Sequence, residues 1–550
     1  MSLSESFTPE QKSLLESYVT NTDLSVFVLT NLPEVIKGAL FSRYSRSTLG
    51  LRSLLLKEFI LSEDAEFSSI QGNSGQASNR KGSELAIERA RKFYDRILDG
   101  YGDDSIGELG GAHLALENVS MLATKVLEDA RIGGSPLEKS TRYVSFSDKD
   151  AGRYRYYRDP KLMDSDHAEL YVKACDHLFD CYVRLCEPVW AHVRKLLPRE
   201  EGTSEAAYER SVKARGYDLI RGLLPASTQT NMGIFGNGRF FETLIRKLHL
   251  DPLEENRDLG QAAFEELSKV IPSFIRRADR NNNRFQEFED YTNFKNSLMQ
   301  TFHSKQISDE LNPPQEMDVQ LIEYDQDAED RMLAALLFPF GHGSLQEFTE
   351  QLKNLPDSEK KRLIHEYAEL RQNRRHKPGR GIEMPFYTFD IVGDYGIYRD
   401  LQRHRMLTQE RQLLSTRYGF EKPEEIEEAG LGEIYDEAML QAAEAFDQLQ
   451  KDFPFEAQYV VPMGYRIRWF MKINLRSLSW MTELRSVPQG HTGYRRIAQQ
   501  MYLRVRDVHP TLSELMKFVD LEEYPLGRLE AEVRQEAVSY THLRAHETLT

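Results

Sequence analysis

Apolar positions along the chain follow two periods. Tyr435, Met439, Ala442, Phe446, Leu449 and Phe453 recur every three or four residues, which predicts a helix with one face turned to a core. Tyr171, Ala174, Leu178, Cys181 and Leu185 repeat that spacing and predict a second such helix. Val319 and Leu321, with Ile322–Tyr324 after them, alternate instead and predict a strand. Phe67–Ser83, rich in Ser, Gly, Asn and Gln, reads as a loop, and Asn312-Pro313-Pro314 breaks the chain just before the strand. No run of about 18 uninterrupted apolar residues occurs. The N-terminus, MSLSESFTPEQKSLLESY, lacks the basic-then-apolar layout of a secretion signal. The expectation is a cytoplasmic protein with no membrane partner, of mixed α+β or α/β class.

The chain also repeats itself. Ser-Thr-Arg-Tyr occurs at Ser140–Tyr143 and again at Ser415–Tyr418. Upstream of each lies a Ser-x-x-Glu, Ser105 with Glu108 and Ser344 with Glu347. Downstream lies an apolar pair, a Pro, and an Asn-x-Arg: Leu223-Leu224-Pro225 to Asn237 and Arg239, then Val460-Val461-Pro462 to Asn474 and Arg476. Both downstream anchors are offset by 237 positions. Several kinds of match in one order imply a tandem duplication. Insertions around Lys149–Gly216 and Lys353–Gly381 put the Ser-Thr-Arg-Tyr anchors out of step. The join falls near residues 300–317, giving a first repeat over 1–305 and a second over 306–537. Residues 538–550 break in composition from the acidic helix before them and read as an artefactual tail.

Composition narrows the function classes. Hydrophobic content of 40% with 29% charged residues supports a sizeable core and excludes global disorder. At 550 residues, two to four domains are expected, and the duplication reduces that to two. Lys+Arg 71 against Asp+Glu 87 leaves −16, which argues against a protein that coats nucleic acid. It does not exclude a local basic pocket. The three cysteines, Cys175, Cys181 and Cys186, match neither a disulfide framework nor a zinc spacing and read as small buried hydrophobes. No metal site is expected.

The unusual local chemistry is Arg403-His404-Arg405, followed by Ser415, Arg417 and Tyr418. Three consecutive cationic residues cannot pair along one helix face. Where a helix gives way to a loop they can converge on a multi-oxygen anion such as a pyrophosphate. The bland alternative is a solvated charged patch. A hydroxyl and a guanidinium at Ser-x-Arg suit a phosphate monoester.

These residues, with His342-x-Ser344-x-x-Glu347 upstream and Asn474-x-Arg476 and Arg485 downstream, resemble the flavin-dependent thymidylate synthases. The resemblance covers most of 319–520, and a weaker copy covers roughly 33–275. It implies two tandem copies of that fold, each a small, mostly antiparallel sheet packed with helices. It also implies FAD-dependent reductive methylation of dUMP to dTMP, with NADPH and methylenetetrahydrofolate as co-substrates. By the resemblance, Arg403, His404, Arg405, His342, Ser344, Glu347, Asn474 and Arg476 contact FAD. Their first-repeat matches are Ser105, Glu108, Asn237 and Arg239, and Arg43-Tyr44-Ser45 resembles the family's early Arg-x-Ser element, by which Ser45 also contacts FAD. Ser415 and Arg417, with Ser140, Arg142, Glu138 and Arg221, bind dUMP, and Arg485 polarises the uracil.

Each repeat departs from the signature differently. The first reads Ala130-Arg131-Ile132 in the Arg-His-Arg slot, Asp103 in the histidine slot and Leu248 in the slot of Arg485. The second is two residues longer between Arg403 and Tyr418 and has Gln458 where the first has Arg221. Complementary losses imply composite sites at the junction of the repeats, and a homodimer that mimics the family's tetramer. A non-catalytic or repurposed nucleotide-binding flavoprotein is the alternative reading. Nucleic-acid interaction through Arg371, Arg374, Arg375, His376, Lys377 and Arg380 is a minor third. His491, six positions past Arg485, reads as a surface or core histidine.

Overall fold

In both repeats, long strands end on a small polar residue that starts a helix. The computed structural model describes residues 6–45, 47–61, 107–129, 132–307 and 316–534. Strand β1 (Gly111–Ser120) ends on Ser120, whose hydroxyl accepts the Ala123 N–H and caps the helix Met121–Glu128. Strand β2 spans Gly134–Glu138. Strand β3 (Gln229–Asn237) ends on Asn237, which caps Gly238–His249 by accepting from Phe240. The second repeat adds an edge strand, β4 (Asp318–Tyr324), and then follows the same plan. Strand β5 (Phe386–Asp394) ends on Asp394, which caps Tyr395–Leu401. After β6 (Leu407–Arg411), strand β7 (Arg466–Asn474) ends on Asn474, which caps Leu475–Arg485. Such side-chain acceptors satisfy N–H groups that a helix start otherwise leaves orphaned.

The chain forms two compact units, 1–117 with 130–138 and 231–309, and 118–129 with 139–230 and 310–550. In the first, β2 runs antiparallel to β3 in a three-stranded sheet ordered β1-β3-β2, with Glu138 opposite Met232. Leu15, Ile36, Leu40 and Leu55 form a small core beside it.

The second unit contains the second repeat together with residues 139–230 of the first. Its four-stranded antiparallel sheet is ordered β4-β5-β7-β6. Ile467, Trp469, Met471 and Ile473 alternate along β7 and are buried, the period-two pattern of a half-covered sheet. The helix Gly432–Leu449 buries Tyr435, Met439, Ala442, Phe446 and Leu449. Phe453 lies beyond its end, its N–H donating to the Leu449 carbonyl at 2.8 Å. The helix Ala168–Leu196 buries Tyr171, Ala174, Leu178, Leu185 and all three cysteines. Burial pushes the Cys175 thiol up to about 12 and Cys186 to about 11, so both stay protonated at neutral pH. The loop expected at Phe67–Ser83 and the breaker at Asn312-Pro313-Pro314 lie outside the described residues.

Within this unit the two copies of the apolar-pair-Pro motif pair with each other. Ala226 N–H donates to Val461 O at 2.9 Å, and Met463 N–H donates to Leu224 O at 2.9 Å. These two bonds are exchanged by the 237-position repeat offset, and Pro225 bridges its own counterpart Pro462. Helix Ala168–Leu196 likewise packs on Gly432–Leu449. Self-matched contacts of this kind are the mark of an isologous two-fold interface. Duplication has put both faces of it in one chain.

Sheet register also locates the extra length of the second signature. Glu138 opposes Met232 and Arg411 opposes Trp469, and Met232 and Trp469 are counterparts at the 237 offset. Strands β2 and β6 therefore stay in step, and the two extra residues fall between Arg411 and Ser415.

Candidate functional site

The second unit gathers arginines of both repeats around two carboxylates, Asp218 buried and Asp400 half-buried. Arg142 follows Ser140, whose hydroxyl accepts the Arg142 N–H at 3.2 Å. Its guanidinium forks Asp218, with Nε–Oδ1 and Nη2–Oδ2 both at 2.7 Å. It also donates to Tyr494 Oη at 3.3 Å and to Gln489 O at 3.2 Å, both from the second repeat. Burial alone would raise the Asp218 pKa, but Arg142, then His491 and Arg221, hold it well below the carboxylate range.

Arg221 sits in the short 3-10 turn Arg221–Leu223, at the end of the helix Glu205–Ile220 that carries Asp218. It reaches Asp400 of the second repeat through two long contacts of 3.3 and 3.4 Å, both to Oδ2. Asp400, half-buried with its side chain 15% exposed, lies in the field of four arginines. Burial pushes its pKa up, and Arg221, Arg403, Arg485 and Arg142 together override that and hold it far below the usual range. Two of the four come from each repeat.

Arg485 ends its helix and donates from Nε to His404 Nε2 at 2.9 Å, with its guanidinium 5.4 Å from the centre of the Tyr494 ring. Burial and then Arg485 push His404 down to about 3, so the imidazole is neutral and serves as acceptor. His491 caps the helix Thr492–Val508, its Nδ1 accepting from Gly493 at 3.1 Å. Burial and then Arg221 lower it to about 3. Asp394 goes the other way, raised to about 7 by burial against the pull of Arg221. Asp218, Arg221, Asp394, His491 and Arg495 line one cavity of about 590 Å³, a size suited to a small ligand.

The remaining sequence-predicted residues are distributed differently. Arg403 is exposed and Arg405 half-buried, on the loop between Tyr395–Leu401 and β6. Ser415 is half-buried and Arg417 exposed. Gln458 is buried, accepting from Leu414 N–H and donating to Phe455 O, both at 3.0 Å, so it braces the backbone where Arg221 reaches a carboxylate. His342 is exposed, while Ser344 and Glu347 form a capping box at the start of Leu345–Lys353. Asn237 and Asn474 are helix caps, as described. Arg476 pairs with Glu383 at 2.9 Å, and Arg239 with Glu108 at 2.7 Å. Ser45 ends the helix Glu34–Tyr44, donating to Ser42 O at 2.8 Å, and Glu138 is buried at the end of β2. Ser105, Asp103, Ala130 and Arg131 lie outside the described residues, and Leu248 is buried.

Much of the basic cluster of the second insertion is spent internally. Arg371 is buried on Glu483 at 2.7 and 2.8 Å and donates to the His376 carbonyl at 3.0 Å. Arg374 lies over Trp480 and Arg380 pairs with Glu383. Among the described residues no group of acidic, histidine and cysteine side chains could hold a metal ion, and no helix is long and apolar enough to cross a membrane.

Sequence reading missed Asp218, Asp400, Asp394 and Tyr494. One signal was present: Asp218 and Asp400 each stand three residues before a motif arginine, Arg221 and Arg403.

A duplicated strand–cap–helix plan, whose two copies join their arginines over two carboxylates, defines a composite cationic cluster, of which Arg221 and Asp218 also line the cavity, beside Asp394, Glu421 and Glu425. Residues 62–273 and 320–511 each match the family model described as thymidylate synthase complementing protein. The chain belongs to that family, the flavin-dependent thymidylate synthases. It is 46% identical over 531 residues to a UPF0159 protein of Chlamydia muridarum, covering 96% of this chain and 99% of the relative. A Chlamydia pneumoniae UPF0159 protein is 48% identical over 533 residues, covering 97% and 98%. One from Thermoplasma acidophilum is 35% identical over 525 residues, covering 91% and 98%. Among solved structures, a UMP/dUMP methylase PolB from Streptomyces cacaoi bound with 5-Br dUMP matches at 15% identity and a TM-score of 0.29. That match spans 38% of this chain and 97% of the other. A likeness that slight carries no weight for function.

Proposed function

We propose that the protein carries out reductive methylation of dUMP to dTMP, with methylenetetrahydrofolate as carbon donor and NADPH as reductant. In balance, the methylene carbon and a hydride from NADPH complete the methyl group, the departing uracil C5 proton and one proton from solvent make up the two folate N–H bonds, and tetrahydrofolate and NADP⁺ are released. The observation that carries the reading is the contact of Arg221 from one repeat with Asp400 from the other, beside the Arg485–His404 pair. Arg221, the member of this group that lines the cavity, suits the oxygens of a charged anion there.

In this reading Arg221 is the phosphate ligand. Its contacts to Asp400 are long for a charge-assisted bond, so a phosphate oxygen at about 2.8 Å displaces them at a gain. Arg485, fixed by neutral His404 and by Tyr494, faces charge developing on the uracil. Arg142, neutralised by Asp218, positions Tyr494 and Gln489. The protonated, buried thiols of Cys175 and Cys186 are poor nucleophiles, in keeping with a route that needs none.

The donor set Arg403-His404-Arg405, two arginines around a neutral imidazole on a loop, fits the pyrophosphate of FAD. FAD, when bound, supplies the hydride that NADPH donates. A second reading, a nucleotide-binding flavoprotein without methylation, is favoured by the closed Arg142–Asp218 fork. Purified protein should show flavin absorbance. It should also release the C5 proton of dUMP when FAD, NADPH and the folate are supplied. Colour without proton release would select the second reading.

A further inference from the structure

Between the two family-matched regions, 62–273 and 320–511, lies a 24-residue helix, Asn283–Gln306, that neither region accounts for. Among its residues Phe285 alone is buried. Tyr291, Phe294, Leu298 and Phe302 are spaced by three, four and four residues and therefore share one face. They are 64%, 70%, 50% and 60% exposed, and Met299 at their edge is 57% exposed. From Tyr291 to Phe302 the stripe follows about 17 Å of helix at 1.5 Å per residue, and it exceeds the scattered apolar residues of an ordinary surface.

Most of the stripe maps onto itself end for end, with Leu298 falling opposite Lys295. Reversal about the midpoint between Asn296 and Ser297 exchanges Tyr291 with Phe302 and Phe294 with Met299. It also brings Glu287 within one position of Lys305, and these two lie on the same flank of the stripe. Glu287, Glu289 and Asp290 against Arg284 leave the first third of the helix with a net charge of −2, Glu287 sharing its carboxylate with Arg284 at 3.2 Å, and Lys305 lies near the other end. Two antiparallel copies set each acidic end beside the other copy's lysine and oppose their dipoles, whereas parallel copies align like charges. The exposed apolar area amounts to roughly 500–600 Å² per copy, so a pair buries about 1,100 Å², the lower bound of a specific interface.

We infer that this helix is a self-pairing element, which docks antiparallel on the same helix of a second copy of the chain through Tyr291, Phe294, Leu298 and Phe302. The interface is isologous, with two equivalent Glu287–Lys305 pairs.

Sedimentation velocity of the full chain from about 1 to 50 μM tests this. A chain of 63.8 kDa should sediment as a dimer, and Phe294→Glu with Leu298→Glu should yield monomer with unchanged circular dichroism. Glu287→Lys should weaken the dimer roughly tenfold through two like-charge pairs, and adding Lys305→Glu should restore it. A wild-type monomer throughout overturns the inference, as does a dimer indifferent to the double-glutamate change. If that variant loses its circular dichroism, the charge pair decides. A dimer unaffected by Glu287→Lys overturns the inference, and weakening reversed by Lys305→Glu supports it.

Discussion

Replacing Arg142 by Leu probes how the two repeats are locked together. The Arg142 and Asp218 side chains are 9% and 6% exposed and share a bidentate contact, with both distances at 2.7 Å. Leucine removes the cation, leaves Asp218 buried and charged, and drops the bonds to Tyr494 and Gln489. Breaking one side of a buried pair costs about 3–5 kcal/mol, which at an unfolding entropy of ~2 cal/mol/K per residue lowers the melting temperature of a unit this large by roughly 4–7 °C. The sign with pH is specific. In the native protein Asp218 is held below its unfolded value, so it contributes stability above the unfolded pKa that is lost as pH falls through the folded one. Without Arg142, burial pushes the Asp218 pKa up, so the deficit should be large at pH 7 and shrink toward pH 5. Arg142→Leu with Asp218→Asn should recover much of the loss, because no unpaired buried charge remains. Differential scanning calorimetry at both pH values reads all of this. A cost below about 1 kcal/mol, additive with Asp218→Asn, would show that the fork is not a structural lock.

Other expectations follow from single contacts. Asp394 has a raised folded pKa of about 7, so its contribution lowers stability as pH climbs from 4 to 7. Asp394→Asn keeps the helix cap and should flatten that part of the melting-temperature profile. Arg371→Leu strands Glu483 and should cost about 3–5 kcal/mol in urea unfolding. It should leave affinity for a polyanion such as heparin unchanged, since its guanidinium is already buried on Glu483. Gly222→Ala puts a methyl against the Tyr435 hydroxyl and Gly464, where the repeats pair, and should cost about 1–3 kcal/mol by thermal melt.

Much of the scaffold was legible because its signals are local. The Gly432–Leu449 stripe, the β4 alternation and the buried cysteines follow from periodicity, and the duplication follows from matched motifs at a constant offset. The cationic half of the pocket was legible for the same reason, since Arg142, Arg221, Arg403 and Arg485 stand in motifs. Its acidic half was not. Asp218 and Asp400 are single carboxylates in ordinary helices, and what they neutralise is decided by chain segments 76 and 179 residues away. His491 illustrates the same limit: its role as a helix cap on the pocket wall depends on packing that no spacing encodes. Gln458 shows that a motif slot can be reused. Once the arginine is gone, the amide braces Leu414 and Phe455.

One anionic site built from both repeats should show itself in dUMP binding followed by isothermal titration calorimetry. Arg221→Gln installs in the first repeat the residue the second already carries, and Arg485→Leu alters the second alone. Each should weaken dUMP binding by about 10–100-fold, the worth of one charge-assisted contact. Arg221→Gln should leave deoxyuridine, which lacks the phosphate, bound as before. Full dUMP affinity in either variant would contradict a shared site.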